Sequence, residues 1–181
     1  MVTSGRLLGF IVSNEGIHVD PFKVEAIIQL PPPSSIRQLQ SLQGKANFLR
    51  RFIANYAEIT KGFMRLLRKG VPFVWDDCAQ RSFDDLKRAV VSTSLLSPPN
   101  YGRDFLLYLA VPESTIGMVL VQEDDALTEH VIYYFSRGLI GPELRYSPVE
   151  KLALAAVHAV QRLCHYIFLG KTFVIAAVNP F

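Results

Sequence analysis

The residues that could do chemistry in this chain are mostly charged, and the positive ones concentrate in one segment. Between Ser34 and Gly70, eight basic residues stand against a single acid, Glu58, which gives the segment a charge of +7 when the whole chain carries +3. The eight are Arg37, Lys45, Arg50, Arg51, Lys61, Arg65, Arg68 and Lys69. Basic residues interspersed with aromatic ones predict a surface for nucleic-acid phosphates. An ordinary solvated helix face is the alternative, and composition alone leaves both open.

Acidic residues and cysteines form no comparable cluster. Glu123, Asp124 and Asp125 are consecutive, and because adjacent carboxylates splay apart, the run predicts a solvated turn and not a metal site. Cys78 and Cys164 lie far apart in the sequence, without the CxxC or Cys/His spacing of a zinc site. The sequence therefore predicts two buried or half-buried thiols, with neither a disulfide framework nor a zinc site.

The composition favours a folded protein away from membranes. Half of the 181 residues are hydrophobic and the mean hydropathy is +0.22, which is too apolar for a disordered chain. Apolar runs stay shorter than the roughly 18 residues of a membrane span. The start of the sequence lacks the features of a signal peptide. We therefore expect a location in the cytoplasm or nucleus and no membrane partner.

The first half of the chain is predicted to hold one hairpin followed by helices. Residues 6–19 predict a strand, a turn at 14–16 and a return strand. Asp20 and Pro21 are a typical start for a helix, and Ser34 or Ser35 for the next. Residues 47–57 and 60–69 are predicted to continue as helices, and Asp76 or Asp77 to begin another that runs to about Val91. Gly44, inside a predicted helix, is interpreted as a site of close helix packing.

The second half predicts one mixed sheet and one long helix. Residues 104–122 form two apolar strands joined by a turn at 112–114, and residues 131–136 form a third strand. A helix over 149–168, with an apolar stripe, precedes a fourth strand over 173–178. Because a helix makes the crossover, the fourth strand is expected to run parallel to the first. The stripe is predicted to contain Leu152, Ala156, Ala159, Leu163 and Ile167.

Together these elements predict an α+β protein in two parts. Residues 1–97 form the hairpin and helical part, and residues 98–181 form a β-β-β-α-β sheet domain, with a Pro-rich linker near the boundary. A two-stranded hairpin is marginal alone, and one helix covers only one face of a sheet. We therefore expect the chain to be truncated at both ends.

Several stretches, in order, resemble the Pol polyprotein of gypsy-like LTR retrotransposons, where reverse transcriptase joins an RNase H-like domain. They are LLGFIVSNEGIHVDPFKVEAI, SIRQLQSLQGKANFLRRFIANYAEI, FVWDDCAQRSFDDLK, STIGMVLVQ, YYFSRGL and ELRYSPVEKLALAAVHAVQRLCHYIFLGKTFVI. The resemblance covers essentially the whole chain, and plant members of the family look most similar.

The resemblance implies a role for each part. Residues 1–97 would be the C-terminal part of reverse transcriptase, with a primer-grip hairpin at Leu8, Gly9 and Phe10 and thumb helices that hold a duplex by its backbone. The basic residues would contact phosphates without reading sequence. The implied partners are a template–primer duplex or RNA–DNA hybrid and the rest of the Pol polyprotein.

The same resemblance implies a defective nuclease site. Active members of the family use carboxylates to hold two divalent metals, in general Mg²⁺. The family's first aspartate maps to Ala110, its helix glutamate to Glu150 and its last aspartate to Ala177. Glu113 is expected on the opposite side of the strand from Ala110, and Glu143 matches no ligand position. We therefore expect no metal cofactor and no nuclease activity in this chain.

Two other interpretations remain open at this stage. The chain could be an active ribonuclease of RNA–DNA hybrids that uses ligands outside the mapped set, or a decayed or co-opted remnant with interaction roles only. Polymerase activity is not expected, because the paired aspartates of the palm would lie upstream of Met1.

Overall fold

The computed structural model describes residues 4–93 and 95–177. The chain divides into two compact units, Met1–Leu95 and Leu96–Phe181, and each is described by itself. The first contains a small sheet and helices, and the second contains a larger mixed sheet with a long helix. The predicted α+β class is confirmed.

The first unit begins with a three-stranded antiparallel sheet. Its strands are β1 (Ser4–Leu7), β2 (Phe10–Ser13) and β3 (Gly16–Val19), with β2 in the middle. The predicted hairpin turn around Asn14 and its return strand are confirmed by the antiparallel pairing of β2 with β3. The predicted first strand was wrong, because Leu8 and Gly9 adopt positive φ values of 50° and 81° and split it into β1 and β2. The added strand gives the sheet a third member, which a lone hairpin lacks.

Four α-helices follow, and three begin at a side-chain cap. They are α1 (Pro21–Ile28), α2 (Ile36–Leu49), α3 (Tyr56–Met64) and α4 (Asp77–Val91). Asp20 accepts a hydrogen bond from the N–H of Phe22, and Ser35 and Asp76 cap α2 and α4 in the same way. These oxygens satisfy N–H groups that have no partner inside a helix. The cap predictions at Asp20, Ser35 and Asp76 are confirmed.

The prediction of one helix over 47–57 was wrong. Helix α2 ends at Leu49, and a 3₁₀ turn occupies Arg50–Phe52. Asn55 then adopts φ +53°, a left-handed conformation that asparagine tolerates better than most residues, and α3 starts immediately after it. A second 3₁₀ turn, Arg65–Leu67, ends the helical stretch earlier than predicted.

Gly44 and Gly62 occupy opposite environments. At Gly44, none of the described residues has an atom within 4 Å of the position of an added Cβ, so the interpretation of close helix packing was wrong. At Gly62, an added Cβ would lie 2.2 Å from Ser82 Oγ and 2.5 Å from the carbonyl oxygen of Cys78. The close approach of helices in this unit is therefore at the contact between α3 and α4.

The second unit is built on a four-stranded sheet in the order β6-β5-β4-β7. Its strands are β4 (Phe105–Ala110), β5 (Thr115–Glu123), β6 (Glu129–Gly138) and β7 (Thr172–Ala177). Helix α5 (Pro148–Ile167) connects β6 to β7. The neighbours of β4 are β5, which is antiparallel, and β7, which is parallel, so the predicted crossover is confirmed. Val178, predicted in the last strand, lies outside the described residues.

Helix α5 packs on one face of this sheet. Its fully buried positions are Ala155, Ala159 and Leu163, which contact a cluster of strand residues that includes Phe105 and Ile116. Three members of the predicted stripe, Leu152, Ala156 and Ile167, are only partly buried. The stripe is therefore rotated toward Ala155, where a methyl group allows the helix to approach the strands closely. Among the described residues, no helix is long and apolar enough to cross a membrane.

Candidate nucleic-acid interface and carboxylate positions

Half of the eight predicted phosphate-binding residues have solvent-exposed side chains that form no ion pair with any described residue. Arg37 and Lys45 lie on α2, and Arg68 and Lys69 follow the 3₁₀ turn that ends the helical stretch. The electrostatic field of an exposed cation is not offset when no carboxylate of the protein lies beside it, so the cation can attract a bound anion more strongly. These four residues therefore form the part of the basic segment that can contact phosphates at no cost to the fold.

The other four basic side chains take part in contacts within the protein. Arg65 forms an ion pair with Asp76, the cap of α4, and Lys61 lies 3.4 Å from Glu58. Arg50 donates a hydrogen bond to Asn47, with a distance of 3.3 Å between Nη1 and Oδ1. A bound phosphate would compete with these partners.

Arg51 has a structural environment that sequence reasoning missed. Its guanidinium lies over the rings of Phe10 and Phe52, at 5.7 and 5.6 Å from their centroids. Cation–π contacts of this kind typically stabilise by about 0.5–1 kcal/mol at exposed sites and more when desolvated. The spacing of aromatic residues around Arg51 was the available signal, but which ring it meets depends on the tertiary fold.

The predicted primer-grip residues form a turn that rests on α2. Leu8 is 83% exposed at its tip, and the backbone carbonyl of Gly9 accepts a hydrogen bond from the N–H of Asp20. The ring of Phe10 stacks on that of Phe48 with 4.3 Å between centroids and 8° between planes. The turn and the basic helix are thus joined through an aromatic stack.

The two alanines at the mapped aspartate positions are neighbours in the sheet. Ala110 and Ala177 are Cα partners at the ends of the parallel strands β4 and β7. On its other side Ala110 is the Cα partner of Gly117 in β5. Paired positions on adjacent strands lie about 4.7–4.9 Å apart, so aspartates at these two positions would be adjacent. Alanine provides no oxygen ligand at either position.

Glu150, the third mapped position, serves as a helix cap. Its Oε2 accepts a hydrogen bond from the backbone N–H of Ser147 at 2.8 Å, while the Ser147 hydroxyl accepts one from the N–H of Glu150 at 3.4 Å. These bonds form a capping box at the start of α5. The hydrogen bond from the Ser147 backbone, followed by that from its side chain, holds the pKa of the Glu150 carboxyl below its ordinary value.

Glu113 and Glu143 do not complete a metal site. Glu113 lies in the turn between β4 and β5, within the predicted turn at 112–114, and its backbone carbonyl accepts a hydrogen bond from Lys151 at 2.8 Å. Glu143 is bound by both terminal nitrogens of Arg137. Among the described residues, no three His, Cys, Asp or Glu side chains are grouped to hold a metal ion. This donor set does not fit two Mg²⁺ ions, which require several oxygen ligands.

The acidic residues 123–125 and the two cysteines are not arranged as metal ligands in the described part of the chain. Asp124 accepts hydrogen bonds from the backbone N–H groups of Ala126 and Thr128, at 2.8 and 2.9 Å, and so shapes the turn between β5 and β6. Cys164 is partly buried as predicted, but Cys78 is exposed, since the buried side of α4 begins at Ala79.

Comparison with known families decides the relationship. The family described as the RNase H-like domain found in reverse transcriptase matches residues 75–175. The chain belongs to this family. The matched region includes α4, the strands β4 to β6, α5, and β7 as far as Ile175.

Its relatives are Pol polyproteins of transposons, as the motifs predicted. The chain is 34% identical to the retrovirus-related Pol polyprotein from transposon opus of Drosophila melanogaster, over 94% of this chain and 18% of that protein. It is 33% identical to that from transposon 297, over 95% of this chain and 16% of the relative. The transposon Tf2-3 polyprotein of Schizosaccharomyces pombe is 24% identical, over 90% of this chain and 12% of that protein. The chain thus spans less than a fifth of these relatives, and the gypsy and plant assignments stay predictions.

Solved structures with the same fold come from foamy viral enzymes. The foamy viral protease–reverse transcriptase dRH in complex with double-stranded DNA matches with a TM-score of 0.84 and 21% identity, over 97% of this chain and 31% of that one. The foamy viral protease–reverse transcriptase in complex with an RNA/DNA hybrid matches with a TM-score of 0.81 and 21% identity, over 99% of this chain and 24% of that one. At this identity the match establishes the fold.

Proposed function

We propose that this chain is the duplex-holding part of a transposon Pol polyprotein and that it binds nucleic acid without cleaving it. Residues 1–97 would be the C-terminal, thumb-like part of reverse transcriptase, and residues 98–181 a non-catalytic RNase H-like domain. The substrate would be an RNA–DNA hybrid or template–primer duplex, met in the cytoplasm or nucleus. The two foamy viral proteins of the same fold were solved in complexes with double-stranded DNA and an RNA/DNA hybrid, which supports this substrate class.

The observation that carries this proposal is the set of exposed cations Arg37, Lys45, Arg68 and Lys69. Within the described residues none of them is neutralised by a carboxylate, and they belong to a segment with one acid in all. Phosphate contacts position a protein on a duplex without specifying sequence. Binding should therefore be largely independent of base sequence and strongly dependent on salt.

Fluorescence anisotropy with a labelled RNA–DNA hybrid tests the binding. Four phosphate contacts predict a slope of about −3 to −4 for log K against log salt, so affinity should fall roughly a hundredfold between about 50 and 200 mM salt. The double variant Arg37→Gln/Lys45→Gln should reduce the slope by about 2. Arg88→Gln, which removes a cation of α4 paired with Asp85, is the matched control and should leave the slope unchanged. Absence of binding at low salt would contradict the proposal and favour a remnant with other interactions.

A cleavage assay tests the second half of the proposal. With Mg²⁺ and an end-labelled hybrid, we expect the RNA strand to remain intact, because Ala110 and Ala177 offer no metal ligands and Glu150 is held in the helix cap. Metal-dependent cutting that Glu150→Gln abolishes would establish an active ribonuclease. That outcome would leave the binding proposal standing, so the two parts fail separately.

A further inference from the structure

Three ionisable side chains from successive elements of the second unit meet in one network that the proposed function does not use. Arg137 lies near the end of β6, Glu143 in the 3₁₀ turn Gly141–Arg145, and His158 in the middle of α5. The side chains of Arg137 and Glu143 are only 21% and 20% exposed. The network spans the connection that leads from the sheet into α5, residues 139–147.

Every N–H of the Arg137 guanidinium has an acceptor. Its Nη1 donates to Glu143 Oε2 at 2.8 Å and to the carbonyl of Gly138 at 3.1 Å, and its Nη2 donates to Glu143 Oε1 at 2.7 Å. The second N–H of Nη2 and the N–H of Nε both point to the same acceptor, Nε2 of His158, which lies 2.7 Å from Nη2 and 3.2 Å from Nε. Glu143 Oε2 also accepts from the N–H of Ile140 at 3.0 Å, which fastens the connection to the same guanidinium.

The chemistry of arginine fixes the state of His158 in this network. A guanidinium has only donors, so Nε2 of His158 must be the acceptor, and the neutral ring carries its proton on Nδ1. A protonated imidazole has no acceptor and would place a second positive charge at the 2.7 Å contact. The network as observed therefore requires a neutral histidine.

We propose that Arg137, Glu143 and His158 form a proton-sensitive clasp, which holds residues 139–147 against α5 while His158 is neutral and releases them when it is protonated. The inference goes beyond nucleic-acid binding, because it concerns how the connection before Glu150 and the helix cap is held. Loss of the His158 acceptor leaves guanidinium donors unsatisfied in a partly buried position, which is costly.

The surrounding charges agree with this direction. Burial, and then the Arg137 charge, lower the pKa of His158 below 6.5, while Glu143 acts in the opposite sense. The hydrogen bonds from Arg137 hold the pKa of Glu143 near 2, so Glu143 stays ionised wherever His158 titrates. Along α5 the neighbouring cation is Arg162, whose guanidinium lies 5.8 Å from the Phe135 ring centroid. Because the folded state disfavours the protonated ring, the clasp is stable above pH 6.5 and weakens as the pH falls below it.

Hydrogen exchange of the intact chain, corrected for intrinsic rates, tests the clasp. Protection of amides in residues 139–147 should fall as the pH is lowered from about 7.5 to about 4.5. The total loss should be about tenfold for each unit by which the pKa of His158 in the folded protein lies below its ordinary value. Protection in β5 serves as the reference and should not change. His158→Gln, whose side-chain oxygen can accept from Arg137 without titrating, should keep residues 139–147 protected throughout.

Two results would overturn the clasp. One is wild-type protection of residues 139–147 that does not change with pH, and the other is an equal loss in His158→Gln. Should that variant fail to fold, an NMR titration of the wild-type chain decides the question. It should find the Nδ1–H form of His158 and a midpoint below 6.5, and a midpoint at or above this value would contradict the proposal.

Discussion

The same substitution, glycine to alanine, should have opposite effects at two positions of the first unit. At Gly44 the side of α2 is open, so alanine should stabilise the helix by about 1 kcal/mol through its better helix propensity. At Gly62 the methyl group would lie 2.2 Å from Ser82 Oγ and 2.5 Å from the carbonyl oxygen of Cys78. Both contacts are far below van der Waals separation, so α3 and α4 must move apart.

The magnitude at Gly62 follows from three contributions. Overpacking costs about 1–3 kcal/mol, and separation of the helices also weakens the 3.1 Å hydrogen bond from Gly62 N–H to Ser82 Oγ, worth about 1 kcal/mol. The gain in helix propensity offsets about 1 kcal/mol. We therefore expect Gly62→Ala to lower the free energy of unfolding by about 1–3 kcal/mol, roughly 2–4 kcal/mol below Gly44→Ala.

Urea denaturation followed by tryptophan fluorescence measures both variants. Trp75 is the single tryptophan of the chain, and its ring lies 6.4 Å from that of Phe63 in α3 and 5.9 Å from that of Phe83 in α4, so it reports on this contact. Adding Ser82→Ala to Gly62→Ala should restore only part of the stability, because the carbonyl of Cys78 remains in the way. Equal stability of the two single variants would refute the reasoning.

Two further predictions concern single polar groups. Tyr56→Phe should leave stability unchanged or raise it by up to about 1 kcal/mol in the same urea assay, since the buried hydroxyl, whose pKa burial raises to about 12, has no hydrogen-bond partner among the described residues; a marked loss would reveal one. Hydrogen bonds from His130, and then from the Thr128 backbone, lower the pKa of Asp124 to about 2, so its contribution is present above pH 3.8 and is lost toward pH 2. Asp124→Asn should therefore lower the thermal midpoint at neutral pH but not near pH 2, and a difference that persists at low pH would contradict this.

The parts of the fold that local chemistry determines could be predicted from the sequence. Asp20, Ser35 and Asp76 begin helices because their side-chain oxygens reach N–H groups a few residues away. The apolar strands after Asp104 and the helix crossover likewise determine a mixed sheet. These features depend on neighbours in sequence or on connection rules, and so they can be derived without coordinates.

Features that depend on distant contacts could not be predicted. Leu8 and Asn55 adopt left-handed conformations and break elements that the apolar periodicity would continue, and their residue types do not by themselves require a positive φ. The open side of Gly44 and the rings around Arg51 require knowledge of which helix faces which neighbour. In the candidate site, the motif resemblance located Ala110, Glu150 and Ala177. The use of Glu150 as a helix cap is a local feature, because Ser147 and Glu150 have the three-residue spacing of a capping box.

The parallel pairing of β4 with β7 also determines the order in which the second unit can fold. The neighbouring pairs β4–β5 and β5–β6 are antiparallel and are joined by short turns, so they can form while the chain is still short. Phe105, by contrast, pairs with Thr172 across all of β5, β6 and α5. Closing so long a loop lowers the conformational entropy of the chain before the contacts between β4 and β7 can stabilise it. During synthesis, the sheet of β4, β5 and β6 should therefore keep its apolar face exposed until α5 and β7 have emerged from the ribosome.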